Sequence, residues 1–562
     1  MQFRTKAVIL TSLLTSVLSA QSAFADRYLV IMKDQSVFTQ THQQVIAGAR
    51  NLGEIQIQAA NGAGTVTPFS RAGVQVQGSL QHLQSVIIDA DNLAQIEELK
   101  KSGLVALVEK EVFHPSPRPV QGYVRTQAWS YDLRSAVNVR RKPMNNTPWG
   151  IMAVNAPQVW SQGNKGQASR VLVLDTGIDK DHPALKDNFE QGRDFTGDGG
   201  SPYPFVDVVG HGTHCSGTIA GVELADGFAG VAPKAKLLMG RVCGENGCSN
   251  IAVAAGMNWA IDQKVDVVSM SLGGPTPTAA ERRAAEAVAK AGISIVAASG
   301  NDGTNKVSYP GAFPTVVAVG AIDKTLTKAK FSQWGPELAV VAPGVDVVSS
   351  VPQGTGRESS VTLNSKAVPS STFAGSPEVQ VAISNDLVLA GLGKPGEYPE
   401  AVKGKFALVS RGEIAFGEKV KNAIAAGAAG VVVYNNEPGL LQGALTQDGT
   451  TVAIPVVMIE QSSGLQAKAL LEQGQAVKAS MQTVATDYAS YAGTSMATPH
   501  VAGIVALMRT ANKNLTPAQV KNILKSTATP KAPNTQNEYG SGIVNAQKAV
   551  QASVALKAAA VR

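Results

Sequence analysis

Apolar runs through the middle of the chain occupy successive positions, not every second one. Residues 171–175, 237–242, 265–269, 293–298 and 316–320 all read this way. A strand with one wet face alternates, whereas a strand buried on both faces reads as a continuous run. Stretches of helical spacing lie between these runs. The alternation predicts an α/β fold, a parallel sheet with helices on both faces. It covers residues 147–354 and resumes over 487–562. In such sheets functional side chains gather at the carboxyl ends of the strands, where Asp175, Ser271 and Asn301 fall.

The flanking pattern differs. Over 26–117, strand patterns at 28–32, 85–90 and 104–109 enclose a helical one at 94–99, which predicts a separate α+β unit. Residues 118–146 lack periodicity, include Arg140-Arg141-Lys142-Pro143 and Asn145-Asn146, and read as a linker. From 355 to 486 the sheet pattern breaks into a β-rich insert. It has a strand and turn over 404–412 and a helix over 416–426, followed by segments at 427–435 and 454–459. Residues 1–25 form a signal peptide: Arg4 and Lys6, an apolar run over 7–20, then Ala23-Phe24-Ala25 as the cleavage site. That run is shorter than the roughly 20 residues a membrane span needs. No later segment reaches that length, so no membrane span is expected, and the product is predicted to be secreted, extracellular or periplasmic.

Composition adds limits. The chain has 562 residues, 44% hydrophobic, and a net charge of +7 without a long basic run or aromatic-interleaved basic stripe. Nucleic-acid binding is therefore not indicated. Three cysteines occur. Cys243 and Cys248 bracket a turn-forming Gly244-Glu245-Asn246-Gly247 and are expected to form a disulfide in an oxidising compartment. Cys215 is left over and reads as a buried thiol.

Three motifs carry chemistry. Val171-Leu172-Val173-Leu174-Asp175-Thr176-Gly177 is an apolar strand ending in a carboxylate. His211-Gly212-Thr213-His214-Cys215 opens a helical run. Gly493-Thr494-Ser495-Met496-Ala497-Thr498-Pro499-His500 sets a serine at a turn into a helix. Unpaired N–H groups at a helix start are oxyanion donors. The order Asp, His, Ser with these motifs resembles the subtilases, the subtilisin-like serine endopeptidases. The 26–117 unit resembles their inhibitor-type propeptide, and 355–486 resembles a protease-associated (PA) domain.

The resemblance implies a self-processing zymogen that hydrolyses peptide bonds through an acyl-enzyme. Ser495 is then the nucleophile, His211 its base and Asp175 the partner of His211, with Asn301 as oxyanion donor. Ser271, Leu272 and Gly273 would bind substrate main chain and form one pocket wall. Ala298, Ser299 and Gly300 would form the other, with Ser308 at the floor. Expected partners are protein and peptide substrates and the chain's own propeptide, and the protein is expected to be a monomer. No cofactor is expected for catalysis and no metal at the site. The common calcium site has Ala184 and Leu224 at its positions, neither with a side-chain oxygen, although structural calcium elsewhere stays open. His214, His182 and Met496 read as structural. Two other readings stand against this one. A catalytically dead scaffold would show an altered triad member, and an esterase would carry its serine before its histidine in a Gly-x-Ser-x-Gly elbow.

Overall fold

The computed structural model describes residues 25–49, 57–58, 65–66, 72–120, 124–125, 147–198, 205–225, 227–441, 443–446, 450–534 and 536–561. Nearly all of the expected signal peptide and most of the expected 118–146 linker lie outside the described residues. The chain divides into two compact units, Met1–Glu111 and Val112–Arg562.

The first unit is an antiparallel sheet in the order Gln75–Leu80, Ser85–Ala90, Asp26–Met32, Val105–Lys110. Its helices are Gln35–Ile46 and Leu93–Lys101. Alternate strand residues, Tyr28, Val30 and Met32 with Val86, Ile88 and Ala90, share one core with Phe38, Ile96 and Leu99 of the helices. Asn92 and Gln95 close a reciprocal cap on the second helix. An α+β unit results.

The second unit is built on a seven-stranded parallel sheet. Its order is Phe189–Asp194, Lys236–Arg241, Arg170–Asp175, Val267–Met270, Ser294–Ala298, Val316–Ile322, Leu338–Pro343. Chain order runs outward from Arg170–Asp175 on one side, while on the other Lys236–Arg241 lies next to it and the earlier Phe189–Asp194 at the edge. The strand order therefore changes direction at Arg170–Asp175, and a crevice opens at its carboxyl end. Val171 and Val173 pack with the Thr494–Ala511 helix in one core. Leu174 faces the opposite side, where a Cβ on Gly256 of the Asn250–Asp262 helix would meet its Cδ2 at 2.6 Å. Helices therefore cover both faces, and the strands are continuous apolar runs because both sides are buried. The His211–Ala220 helix is buried along its whole length.

After Val347–Ser350 the chain enters an eight-stranded mixed sheet. It returns as Tyr488–Tyr491, which pairs antiparallel with Val347–Ser350. The sheet runs Lys366–Val368, Gly356–Leu363, Lys478–Thr486, Val379–Leu389, Phe406–Ser410, Gly430–Tyr434, Val456–Ile459, Ser370–Thr372. Its parallel strands Phe406–Ser410, Gly430–Tyr434 and Val456–Ile459 are buried except Ser410 at one end, and lie between two apolar clusters. Departure and return are stitched locally. His182 Nε2 bonds the Asp487 carbonyl at 3.0 Å, and Gly354 N–H donates to Asp487 Oδ1 at 3.0 Å.

Candidate active site

Asp175 ends its strand fully buried, and its Oδ1 lies 2.7 Å from His211 Nδ1. Oδ1 also accepts from the Thr176 N–H at 2.8 Å. His211 opens its helix, and its Nε2 is buried with no hydrogen-bond partner. That nitrogen is free to take a proton. Burial alone pushes the His211 pKa down. The Asp175 charge and hydrogen bond outweigh it and hold the pKa well above 6.5.

A further carboxylate, which sequence reasoning missed, sets the start of this helix. Buried Asp207 accepts from Thr176 Oγ1 (2.9 Å), Val209 N–H (3.0 Å) and Gly210 N–H (2.8 Å) through Oδ1. Its Oδ2 accepts from Thr213 N–H (2.8 Å) and Thr213 Oγ1 (2.7 Å). The helix that begins at His211 gets no side-chain cap from Gly210 before it, and Asp207 supplies acceptors for N–H groups at its start. The signal was an Asp four residues before the histidine, at the mouth of a helix.

Ser495 begins the Thr494–Ala511 helix and is 5% exposed. Its Oγ donates to the Ser271 carbonyl at 3.0 Å, while Ser271 Oγ donates to the Ser495 carbonyl at 2.8 Å. That carbonyl is available because Pro499, four residues on, has no N–H to offer it. The Cys215 thiol also approaches it, at 3.5 Å. Burial raises the Cys215 pKa, and the nearby His211 opposes this only in part. Cys215 therefore acts as a neutral donor, as the buried-thiol reading expected. Ser271 ties down Ser495 through both its side chain and its carbonyl.

Asn301 stands across from the serine. Its Oδ1 accepts from Thr494 N–H and Thr494 Oγ1, both at 2.9 Å, which fixes Nδ2 as the free donor. The side-chain position that Gly493 leaves empty lies 3.7 Å from Asn301 Nδ2 and 3.6 Å from Ser495 N. Two donors thus border one small space beside the nucleophile, an arrangement able to hold a developing oxyanion.

The other residues expected to line a substrate groove pack against one another. Gly273 and Gly300 both back onto Ser308, at 3.5 Å from its Cβ and 2.6 Å from its Oγ, measured from the Cβ each glycine lacks. Gly274 pairs with Tyr309. Ala298 and Ser299 are buried at the end of their strand, and Ser299 Oγ donates to Gln333 O at 2.9 Å. Leu272 is buried at 4% exposure. Cys243 and Cys248 are disulfide-bonded across a hairpin. The strand Gly247–Ser249 of that hairpin pairs on its other edge with Phe113–His114.

His214 and His500 are structural. His214 donates to the Val347 and Ala489 carbonyls, stacks on Tyr491 at 4.5 Å, and is pushed down to about 3 by burial and by His211. His500 bonds the Met496 carbonyl and is pushed down to about 4 by burial. Met496 is fully buried in the core. Among the described residues, the grouping of His, Cys and carboxylate atoms close enough to share a metal is Asp175, His211 and Cys215, the hydrogen-bonded pair and its neighbour.

Comparison with known proteins adds the family. Residues 166–376 match the Subtilase family (peptidase S8), and residues 376–467 match the PA domain. The chain is 42% identical to the major intracellular serine protease of Bacillus subtilis over 217 residues, 37% of this chain and 68% of that protein. It is 36% identical to an intracellular serine protease of Paenibacillus polymyxa, over 47% of this chain and 82% of that one. The chain belongs to the subtilase family. It is a serine peptidase with a PA domain. Subtilisin E of Bacillus subtilis is 34% identical over 51% of this chain and 68% of its own length. A crystal structure of a psychrophilic subtilisin-like protease from an Antarctic Pseudoalteromonas aligns with a TM-score of 0.55 at 27% identity. It spans 73% of this chain and 99% of that one. The subtilase match carries Asp175 and His211, while Ser495 lies beyond the PA match. No described helix is long and apolar enough to cross a membrane.

Proposed function

We propose that this subtilase is an exported endopeptidase, made as a zymogen that processes itself, in which Asp175, His211 and Ser495 carry the reaction. The observation that carries the reading is the buried Asp175–His211 pair at 2.7 Å with Nε2 unpartnered, beside a serine at a helix start. As substrate enters, the Ser495 hydroxyl turns from the Ser271 carbonyl to His211 Nε2. Such bonds commonly tighten only in the substrate complex. His211 removes the hydroxyl proton as Ser495 Oγ attacks the scissile carbonyl, and Asp175 holds the imidazole by Nδ1 and stabilises its charge. Asn301 Nδ2 and the Ser495 N–H receive the oxyanion. His211 then protonates the leaving amine, and water hydrolyses the acyl-enzyme by the reverse proton path. None of these steps calls for a cofactor.

Residues 26–117 act as the propeptide, and the cut that frees the enzyme falls between about His114 and Thr147. Support comes from the segment beginning at Val112, which lies along the groove. Phe113–His114 pairs with Gly247–Ser249, and Val120 N–H donates to the Ala492 carbonyl at 2.8 Å, three residues before Ser495. Export rests on the 1–25 signal. Two relatives are described as intracellular, so the mature product must be located directly. The groove residues around Ser271–Gly273, Ala298–Gly300 and Ser308 bind the substrate chain, and the protein works as a monomer. Fluorophosphonate labelling, with mass spectrometry of the culture fluid, tests the whole reading. Labelling at Ser495 on a secreted chain lacking its first hundred or so residues is expected. An unlabelled or unprocessed secreted chain overturns it.

A further inference from the structure

One buried acid in the groove is not used by the reaction. Glu281 is 0% exposed in the first turn of the Ala279–Lys290 helix. Its Oε2 accepts from Thr278 Oγ1 at 2.7 Å, and its Oε1 from His114 Nε2 at 2.8 Å. A carboxylate removed from water is costly unless both oxygens are satisfied. One of the two is satisfied here by a residue of the segment that lies in the groove.

That segment is held as an extended peptide would be. His114 stands opposite Cys248 and Phe113 opposite Ser249 in antiparallel register. Val112 donates to Asn250 Oδ1 (2.9 Å) and accepts from Asn250 N–H (3.0 Å). Further along, Val120 reaches Ala492, beside the nucleophile. The part of the chain nearest Ser495 therefore follows His114. The imidazole leaves the strand sideways and is 4% exposed. It occupies the space that Gly274 leaves open: a Cβ there would sit 2.3 Å from His114 Nδ1. Gly274 makes the opening, and Glu281 lies at its bottom.

We infer that this is a side-chain pocket of the substrate groove, with Glu281 selecting a histidine on the amino-terminal side of the cut and His114 as its internal occupant. The inference rests on the proposed proteolytic reading and names its substrate preference. Once the segment leaves, Glu281 Oε1 has lost its hydrogen-bond donor. An incoming peptide restores it only with an N–H of suitable reach. Histidine does so from a ring that fits the space, an aliphatic residue leaves the acid unpaired, and an acidic residue repels it. The competing view is that Glu281 serves only the helix start, through Thr278.

The test uses mature, processed enzyme and internally quenched peptides differing at one residue. Histidine, leucine, lysine or glutamate is placed in turn at each of the first six positions before the cut. At one position histidine should exceed leucine in kcat/KM by about tenfold or more, the worth of a hydrogen bond to a charged group, with glutamate the poorest. Glu281→Leu should reverse the order, and Glu281→Gln, which keeps the volume and an acceptor oxygen, should fall between. A peptide copying residues 112–120 should inhibit the enzyme, and His114→Ala in that peptide should weaken inhibition by a similar factor. If Glu281→Leu does not fold, the Glu281→Gln ratio and the peptide pair still decide. A profile without a histidine preference, or one that neither Glu281→Leu nor Glu281→Gln diminishes, overturns the pocket and leaves the acid as a helix-start residue. Failure of wild type to cleave any peptide or to label at Ser495 overturns the proteolytic reading instead.

Discussion

Ser495, His211 and Asp175 were legible because their chemistry needs fixed residue types inside recognisable strand-to-turn and turn-to-helix segments. Asp207 and Glu281 were not. Nothing local marks an acid as buried, and each gains its role from partners such as Thr176 and His114, which are distant in sequence. Ser495→Ala should remove activity by about 10⁶ in kcat, the loss known for subtilisin, and should leave the precursor uncut in a protease-free host. A mutant that still matures there would refute self-processing. Activity should rise with pH through an apparent pKa above 6.5, because Asp175 raises that of His211 and only the neutral ring accepts a proton. Stability has the opposite sign. The charged pair's contribution is complete below the unfolded-state value of about 6.5 and is lost as pH rises through the higher folded value. A kcat/KM profile of Asp175→Asn should therefore show its acid limb displaced downward, and an unmoved limb would assign it to another group. Asp207→Ala strands several donors at the start of the His211 helix and should cost roughly 3 kcal/mol in urea unfolding, with loss of activity beyond the loss of fold.

The strands of the parallel sheet could be read from the sequence because burial on both faces writes an unbroken apolar run. Short pairings could not. The two-residue strand Phe113–His114 and the hairpin Cys243–Gly244 with Gly247–Ser249 carry no periodicity of their own and exist because a neighbouring edge accepts them. The disulfide was visible only as two cysteines around a turn. Its bridge spans a sequence separation of 5. Closing so short a loop removes little denatured-state entropy, about 2 kcal/mol against nearly 5 for a hundred-residue loop. The same bridge keeps the Gly247–Ser249 edge in the extended form that a peptide must meet. Replacing both cysteines by serine should lower Tm modestly and raise KM for long peptides more than for a minimal chromogenic one. Equal KM changes for the two would show that the edge is rigid without the bridge.

At the scale of the whole chain, the insert was legible as a break in pattern, but its attachment was not. Sequence alone did not show that departure and return form one ladder, Val347–Ser350 with Tyr488–Tyr491, because pairing across so many residues leaves no local trace. We expect the PA insert to govern access of large substrates and not the chemistry. Replacing it with a short Gly-Ser connection should leave cleavage of a small peptide near normal while changing that of folded proteins. Equal effects on both would point instead to support of the Ser495 helix. The ladder also bears on heat. While the insert is folded, its ends meet at no entropic expense to the core. Once it melts, the same ladder must close a floppy loop of roughly 130 residues, about 2 kcal/mol harder than closing one of ten. The returning strand ends at Tyr491, four residues before Ser495, so that strain falls on the nucleophile's own approach. Calorimetry should then find a first transition in which the insert unfolds, with peptidase activity lost there and most of the parallel sheet still intact. The excised form should keep its activity up to the melting of the core.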